Sequence, residues 1–405
     1  MHVLLIHQAF VGPGEAGGTR HYELALRASR LGHRFTVIAS DISYLTGESA
    51  ARPKQEEIGP GVVVRRVRST RKLHRSFVWR VLAFLAFTIS SARNALAVRN
   101  VDVVFGTTPP MPQAFSAWLV AALKRVPFVL EVRDLWPWFA IGMGVLRNPV
   151  LIWAARALER FLYARATLIV VNSPAYRDYL TERGLPAEKI HLVANGVDVS
   201  MFDPASNGST VRTEWGLDGR FVALYAGALG LANDIPTLLR AAALLSSEDD
   251  IRIVLVGDGK ERLGLERQAA AMGLSNVLFP GPVPKDRMPD VLAAADACIA
   301  ILQDIPMFRT TYPNKVFDYM AAAKPTVLAI GGVIQAVIEG AGGGIVVPPG
   351  DPARLADAIR MLAYDKPACV RMGAAAREFV ARNFNRDAQA HLLVAVLEKA
   401  AGTAA

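Results

Sequence analysis

The stretch Arg309-Thr310-Thr311-Tyr312-Pro313-Asn314-Lys315-Val316-Phe317-Asp318-Tyr319-Met320 concentrates more potential chemistry than any other part of the sequence. Pro313 and Asn314 have the form of a helix start, where the N–H groups of Asn314, Lys315 and Val316 lack intrahelical acceptors and the helix dipole favours an anion. Lys315 adds a full charge there, so the segment reads as a diphosphate holder, with Asp318 one turn further on and within reach of a ribose. A solvated helix carboxylate is the competing reading of Asp318.

Glycines supply further phosphate-binding candidates. Gly227-Ala228-Leu229-Gly230 follows the apolar run Phe221–Ala226, and Gly257-Asp258-Gly259-Lys260 follows Ile251–Val256. Bare backbone at the carboxyl ends of parallel strands is where open α/β sheets take their ligands. Near the start, Gly17-Gly18-Thr19-Arg20-His21 opens a helix after the first strand, and its glycines would admit a phosphate or sugar. A tight strand-to-helix turn is the plainer alternative. Gly12, Gly14 and Gly17 also satisfy G-x-G-x-x-G, with Asp41 after the next strand, but the long loop and Pro13 weaken a dinucleotide reading. His21, one turn into its helix, could touch an acceptor or a phosphate, although packing is the commoner role. Arg133 and Asp134 follow the strand Phe128–Val132 and are candidate sugar or acceptor contacts, with a structural ion pair as the alternative. Histidines are scattered without metal-ligand spacing, so no metal or cofactor is expected.

The elements that must position these residues alternate. Short β-branched runs at His2–His7, Arg34–Ala39, Val62–Val67, Val101–Phe105, Phe128–Val132 and Leu168–Val171 are interleaved with helical patterns such as Thr19–Leu31, Gln113–Lys124 and Val150–Ala164. Near-continuous apolar strands separated by helices predict a parallel sheet covered on both faces. The plan repeats after a Gly-, Pro- and Ser-containing stretch, with strands at Phe221–Ala226, Ile251–Val256, Val277–Phe279, Ala297–Ile301, Thr326–Ala329 and Gly344–Val347. The reading is therefore α/β, with a domain over 1–195, a linker over 196–219, a second domain over 220–382 and a C-terminal helix over 383–405. Asp351 before Pro352 marks one helix start, as N-cap and first helical residue.

With 405 residues, 52% hydrophobic and 20% charged, the chain is long enough for about two to three domains, each with its own core, which excludes disorder, collagen and disulfide scaffolds. Two cysteines suit a reducing, cytoplasmic setting, and the apolar run directly after Met1, without basic residues, predicts no signal peptide. No segment reaches the ~18 uncharged residues of a membrane span. Charge is uneven: residues 1–200 hold 25 Lys and Arg against 14 Asp and Glu, while residues 201–405 hold 20 against 22. Between Ile58 and Val101 there is no acid, and Arg65, Arg66, Arg68, Arg71, Lys72, Arg75 and Arg80 crowd one stretch that leads into an apolar helix with Phe77, Trp79, Phe84 and Phe87. That combination suits an anionic membrane surface, with Trp79 at the interface; a solvated face and a buried helix are the plain alternatives. No nucleic-acid reader motif accompanies the charge, so nucleic acid is not an expected partner.

In order and spacing, Gly17-Gly18-Thr19-Arg20-His21, Gly32-His33-Arg34-Phe35-Thr36-Val37, Glu131-Val132-Arg133-Asp134-Leu135-Trp136-Pro137, Asn195-Gly196-Val197-Asp198 and Lys315-Val316-Phe317-Asp318-Tyr319-Met320-Ala321 resemble the retaining family 4 glycosyltransferases. The Arg-Asp-Leu-Trp-Pro and Pro-Asn-Lys-x-Phe-Asp-Tyr-Met strings are most similar to the branch that builds O-antigen and capsule sugars, such as N-acetyl-fucosaminyl transferases. The resemblance implies the GT-B fold, two facing Rossmann-like doubly wound parallel-sheet domains, with the C-terminal helix packing back on the first. It implies a nucleotide-sugar donor, a UDP-sugar first among them, held by the second domain; the donor contacts read from the residues are Gly227, Gly230, Gly257, Lys260, Arg309, Asn314, Val316 and Asp318, with Gly17 and Gly18 closing from the first domain. A polyprenyl-diphosphate-linked or glycan acceptor would be held by the first domain, with Lys315, Asp134 and Arg133 catalytic, on the inner face of the cytoplasmic membrane. The family's Glu-x7-Glu becomes Thr310 and Asp318 here, which leaves the first, sugar-contacting Glu without a counterpart. The family's Arg and Lys after the strand ending at Gly227 are also missing, so Lys315, Arg309 or Lys260 supplies that charge, or the backbone N–H groups act alone. A GT-B nucleotide-sugar epimerase, a Rossmann NAD-dependent oxidoreductase and a non-catalytic nucleotide-sugar-binding scaffold are the alternatives.

Overall fold

The computed structural model describes residues 1–15, 17–42, 53–70 and 77–402. The chain divides into two compact units: one contains residues 1–12, 17–194 and 386–405, the other 13–16 and 195–385.

The first unit holds strands β1 His2–Ile6, β2 Arg34–Ser40, β3 Gln55–Gly59, β4 Val62–Val67, β5 Val103–Thr108, β6 Phe128–Val132, β7 Leu168–Val171 and β8 Ile190–Leu192. They form one sheet in the order β3-β4-β2-β1-β5-β6-β7-β8, parallel except for β3, which runs antiparallel along β4. The central strands are buried end to end, which is why their sequences are unbroken apolar runs rather than alternating ones. Strand β3 carries Gln55, Glu56 and Glu57, the charged dressing that keeps an edge from pairing further. Its polarity also hid it from an apolar-run reading.

Helices α1 Arg20–Arg30, α2 Phe77–Leu96, α3 Met111–Lys124, α4 Trp138–Gly142, α5 Pro149–Arg165 and α6 Pro174–Glu182 connect these strands. Right-handed crossovers place α1 on one face and α2, α3, α5 and α6 on the other. Helix α5 starts sharply because the Asn148 side chain accepts the N–H of Val150 at 2.9 Å and of Leu151 at 3.2 Å, with Pro149 in the first turn. None of the helices among the described residues is long and apolar enough to cross a membrane.

The second unit contains helices α7 Ser209–Glu214, α8 Ile235–Leu244, α9 Arg262–Ala271, α10 Met288–Ala293, α11 Asn314–Ala321, α12 Val333–Ala341, α13 Pro352–Tyr364 and α14 Lys366–Asn383. Its strands are β9 Phe221–Ala226, β10 Ile251–Val256, β11 Val277–Gly281, β12 Ala297–Ile301, β13 Thr326–Ala329 and β14 Gly344–Val346. All pair in parallel, in the order β11-β10-β9-β12-β13-β14. Asp351 caps α13 by accepting the Arg354 N–H at 3.0 Å, and α14 ends at Asn383.

The stretch 196–219, expected as a linker, is folded into this unit: Val197, Phe202, Val211 and Leu217 are buried in the cluster with Val222, Leu224 and Leu292. Loop-forming glycines and prolines concealed those four apolar anchors. The last helix, α15 Arg386–Ala401, lies in the first unit, where Ala390, Leu393 and Leu397 share a core with Leu24, Ala25 and Ala28 of α1. Arg386 ties it there by donating to Glu23 at 2.7 Å.

Candidate functional site

At the carboxyl edge of the second unit's sheet, β9 ends at Gly227 with φ +155°, and a Cβ there would stand 2.7 Å from Lys315 Nζ. The positive φ favours glycine here, and a Cβ would also displace the ammonium that lies over the backbone. Lys315, in the first turn of α11, donates to the Tyr225 hydroxyl at 2.7 Å and to Asn233 Oδ1 at 3.2 Å, and lies 3.9 Å from the Tyr225 ring centroid. The Tyr225 hydroxyl in turn donates to the Ala228 carbonyl at 2.7 Å. Helix α11 is pinned to the same strand end: Tyr319 accepts the Ala226 N–H at 2.8 Å and donates to its carbonyl at 3.1 Å. Burial lowers the Lys315 ammonium to about 7. A desolvated cation held by neutral partners beside a bare loop and a helix start is built to receive a group of negative charge.

Gly257, at φ +145°, packs so closely on the first loop that a Cβ would collide with the Gly227 carbonyl oxygen. Gly257→Ala is therefore expected to push the Gly227 loop off Lys315, destabilising the unit by about 1–3 kcal/mol or more. A thermal melt, with calorimetric titration of UDP, checks it; an unshifted melt and unshifted affinity would show the loop to be compliant.

The other sequence-read donor residues are distributed differently. The Val316 N–H already donates to the Pro313 carbonyl at 3.1 Å, which removes it from the anion-binding set and leaves those of Asn314 and Lys315. Arg309 pairs with Asp304 at 3.1 Å on the exposed surface, and Lys260 is exposed, so of the three basic candidates Lys315 is the one seated at the Gly227 loop. Asp318 is held by Lys285 Nζ at 2.5 Å, a partner the sequence did not announce. The Thr310 hydroxyl donates to Met307 O at 2.6 Å, closing its own turn. Gly230 forms a turn whose carbonyl accepts the Asn233 N–H at 3.0 Å, which aims Asn233 back at Lys315.

The first unit carries its own polar cluster. Period-two alternation sends Thr107, Glu131 and Arg133 to the sheet face that α1 covers, at the carboxyl edge. Glu131 is fully buried and accepts from Arg20 Nε at 3.0 Å, His21 Nε2 at 2.5 Å and Thr107 Oγ1 at 2.9 Å. Arg20 also donates to the carbonyls of Ala194 at 2.8 Å and Val193 at 2.7 Å. Burial would raise the Glu131 carboxyl, but His21 and Arg20 outweigh it and hold it well below its usual value. Burial lowers His21, against the pull of Glu131, and lowers His7 further, with His21 and Arg133 adding to the effect. The rings of His7 and His21 lie 4.4 Å apart, and among the described residues both His7 nitrogens and His21 Nδ1 are buried without a hydrogen-bond partner.

Arg133 donates to Thr107 Oγ1 at 2.8 Å and to the carbonyls of Thr108 at 3.2 Å and Pro109 at 3.3 Å, so it braces the end of β5. Asp134 is half-buried, and burial lifts its carboxyl to about 6 against the pull of Arg133. Gly17 has φ +145° with Val11 Cγ2 3.0 Å from where a Cβ would lie, whereas the Gly18 position is open. Glu131, Arg20, His7, Tyr225, Asn233 and Lys285 were not singled out from the sequence as site residues. For Glu131 and Arg20 the available signal was a charged residue inside an otherwise apolar strand and at a helix start.

On the basic stretch, Arg66 is paired with Glu56 at 2.9 Å and only 6% exposed in its side chain, so it is not available to a lipid headgroup. The antiparallel return of β3 brings that acid alongside. Arg65 and Trp79 are half-buried and Arg68 is exposed; Arg71, Lys72 and Arg75 lie outside the described residues, as does the Arg80 side chain. Among the described residues, no three His, Cys, Asp or Glu side chains stand together as a metal-binding group.

Residues 16–196 match the glycosyl transferase 4-like domain and residues 220–365 match the glycosyl transferases group 1 domain. A GDP-mannose-dependent alpha-mannosyltransferase of Mycobacterium tuberculosis is 26% identical, over 83% of this chain and 81% of its own. A D-inositol 3-phosphate glycosyltransferase of Catenulispora acidiphila is 28% identical, over 88% of this chain and 84% of its own. The fold is shared with Anabaena HepE in complex with UDP and glucose, at a TM-score of 0.73 and 18% identity, covering 96% of this chain and 97% of that one.

Proposed function

The chain belongs to the group 1 glycosyltransferases of GT-B fold, and from that premise we propose that it moves a sugar from a nucleoside-diphosphate sugar to a lipid-linked or glycan acceptor, with retention of configuration, in surface polysaccharide biosynthesis. The observation that carries the donor half is Lys315, desolvated over Gly227 at the start of α11. As the bond between the anomeric carbon and the diphosphate oxygen breaks, charge grows on the leaving oxygen, and a fixed cation with helix N–H groups lowers the barrier most where that charge develops. The acceptor oxygen bonds the anomeric carbon on the same face, and its proton passes to the departing diphosphate. Lys315 and the α11 start take the part a metal ion plays in other transferases, so the reading is metal-free and turnover is expected to survive EDTA.

UDP is the preferred nucleotide in this reading, supported by the fold shared with HepE, while the GDP-mannose-dependent relative makes GDP the competitor. We assign the acceptor to the first unit, with Asp134 as its polar contact and Arg133 as the residue that positions the β5 end. Gly17 and Gly18 leave backbone bare at the start of α1 for a phosphate or sugar. The N-acetyl-fucosaminyl branch is favoured by the Arg133-Asp134-Leu135-Trp136-Pro137 string, and a lipid-borne acceptor would place the enzyme at the inner face of the cytoplasmic membrane.

A panel of nucleoside diphosphates and nucleotide sugars in a thermal-shift screen tests the donor, since a ligand at 100 times its Kd adds about 2.7 kcal/mol to stability. One preferred UDP-sugar, followed by transfer in the presence of a polyprenyl-linked acceptor, is the expected result. Conversion of the nucleotide sugar with no acceptor present would make the protein an epimerase, and binding with no turnover on any acceptor would make it a scaffold.

A further inference from the structure

Two helices on one face of the first unit repeat a pattern. On α2, Leu82, Leu85, Ile89 and Arg93 follow at spacings of three and four and so share one stripe; Leu82 and Leu85 are exposed, Ile89 is 72% exposed and Arg93 is exposed. On α5, Val150, Trp153, Arg156 and Arg160 form the equivalent stripe, with Val150 69% and Trp153 67% exposed and both arginines exposed. Each stripe is apolar in its N-terminal half and basic after it. Between them lies α3, where Phe115 and Trp118 are half-buried and Trp118 meets Phe161 of α5 edge-on at 4.6 Å. Because these helices run antiparallel to the strands, their apolar halves lie toward the carboxyl edge of the sheet, the edge that carries Glu131, Arg133 and Asp134.

The three helices contain one acidic residue, Glu159, and it is buried. A water-facing helix layer ordinarily mixes both signs of charge, and isolated exposed apolar residues need no explanation, but an aligned apolar stripe bordered only by arginines does. Its complement is a surface with a hydrocarbon interior and a negatively charged face. Trp153 has the amphipathic ring suited to the headgroup level, and arginines spaced behind it extend their stems along apolar surface while their guanidiniums reach phosphate.

We propose that the outer face of α2, α3 and α5 docks on an anionic lipid bilayer, with Ile89 and Trp153 entering the headgroup boundary and Arg93, Arg156 and Arg160 pairing with lipid phosphates. This deepens the reading of a lipid-borne acceptor and rests on it. It carries the expectation for the basic stretch and the helix after it, which is α2, further along the chain to Arg93 and to the faces of α3 and α5.

The test is co-sedimentation of the full chain with vesicles of phosphatidylglycerol and phosphatidylcholine in equal parts, and with phosphatidylcholine alone. The wild type is expected to sediment with the anionic vesicles only. Arg156→Gln with Arg160→Gln lowers that partition about 30-fold, from about a fivefold factor per basic side chain. Ile89→Ser with Trp153→Ser lowers it about tenfold or more. All four positions are exposed, so the melting temperature and the UDP-induced shift stay unchanged and report folding separately. Undiminished sedimentation of both variants overturns the proposal, as does a concentration-dependent dimer that the Ile89→Ser/Trp153→Ser variant dissolves, since the face would then cover a second copy. Loss of vesicle binding with nucleotide-sugar turnover retained is the expected variant behaviour; vesicle binding by a wild type that turns over no nucleotide sugar would sink the transferase reading and leave the docking face standing.

Discussion

Replacing Lys315 by methionine lowers turnover of a nucleotide sugar by about 10²-fold or more and, in the same protein, raises the melting temperature of the ligand-free chain. The two effects share one cause. Folding takes the ammonium out of water, and the Tyr225 hydroxyl, the Tyr225 ring and Asn233 replace only part of its hydration, which is why the group falls from an ordinary lysine value to about 7. Between pH 7 and 10.5 the unfolded chain therefore binds more protons than the folded one, and stability contributed at this site rises with pH across that window. At or below pH 7 the full cost of the buried charge is present. Methionine keeps the stem's volume without the charge, so the cost disappears along with the cation proposed to stabilise the leaving diphosphate.

Diphosphate binding reverses the proton balance. An anion at Nζ restores the lysine's preference for its charged form, so binding above pH 7 takes up a proton. Between about pH 7.5 and 9, above the phosphate's own ionisation near 6, the affinity for UDP is expected to fall by up to tenfold per pH unit. The Lys315→Met variant gives a weaker and flat profile. Calorimetric titrations in buffers of different ionisation enthalpy measure the proton directly; a wild-type profile as flat as the variant's, or turnover within about threefold of wild type, removes Lys315 from the mechanism.

How this site was legible from sequence follows from its physics. The Gly227 and Gly257 loops and the start of α11 are backbone features, and glycine, proline and strand ends betray backbone features in one dimension. The partners of Lys315 are not of that kind: Tyr225 lies 90 residues away in a strand whose apolar run disguises a hydroxyl, and Asn233 sits in a turn of ordinary composition. Parallel strands were readable because burial on both faces forces continuous apolar sequence, whereas the edge strand β3, charged and half-exposed, obeys no such constraint. The basic stretch shows the limit from the other side. Arg66 counted as one of seven cations in sequence, but an antiparallel neighbour supplies Glu56, and only pairing across strands reveals it.

Glu131→Leu is expected to destabilise the first unit by about 3–5 kcal/mol, more than any exposed substitution in the chain. The carboxylate is completely buried and holds three donors at once, Arg20, His21 and Thr107. Leucine fills the space but removes the carboxylate beside the Arg20 guanidinium in the interior, and the Val193 and Ala194 carbonyls to which Arg20 also donates accept its hydrogen bonds without neutralising its charge. Removing one partner of such a pair is costly because the other cannot return to water without unfolding. At ~2–4 °C per kcal/mol for a unit of this size, the melting transition should fall by roughly 10 °C. The pH dependence gives a second readout. Glu131 is held well below its ordinary value, so its contribution is present above the unfolded-state value near 4.3 and is lost as pH falls through the folded one. The variant's stability should consequently drop less steeply than the wild type's as the solution is acidified below pH 4. Arg133→Gln provides the contrast, since that guanidinium is 3.9 Å from Glu131 and partly exposed, and its loss should cost well under half as much. Equal losses in the two variants would mean that the cluster's strength lies in bracing β5 rather than in the buried charge of Glu131.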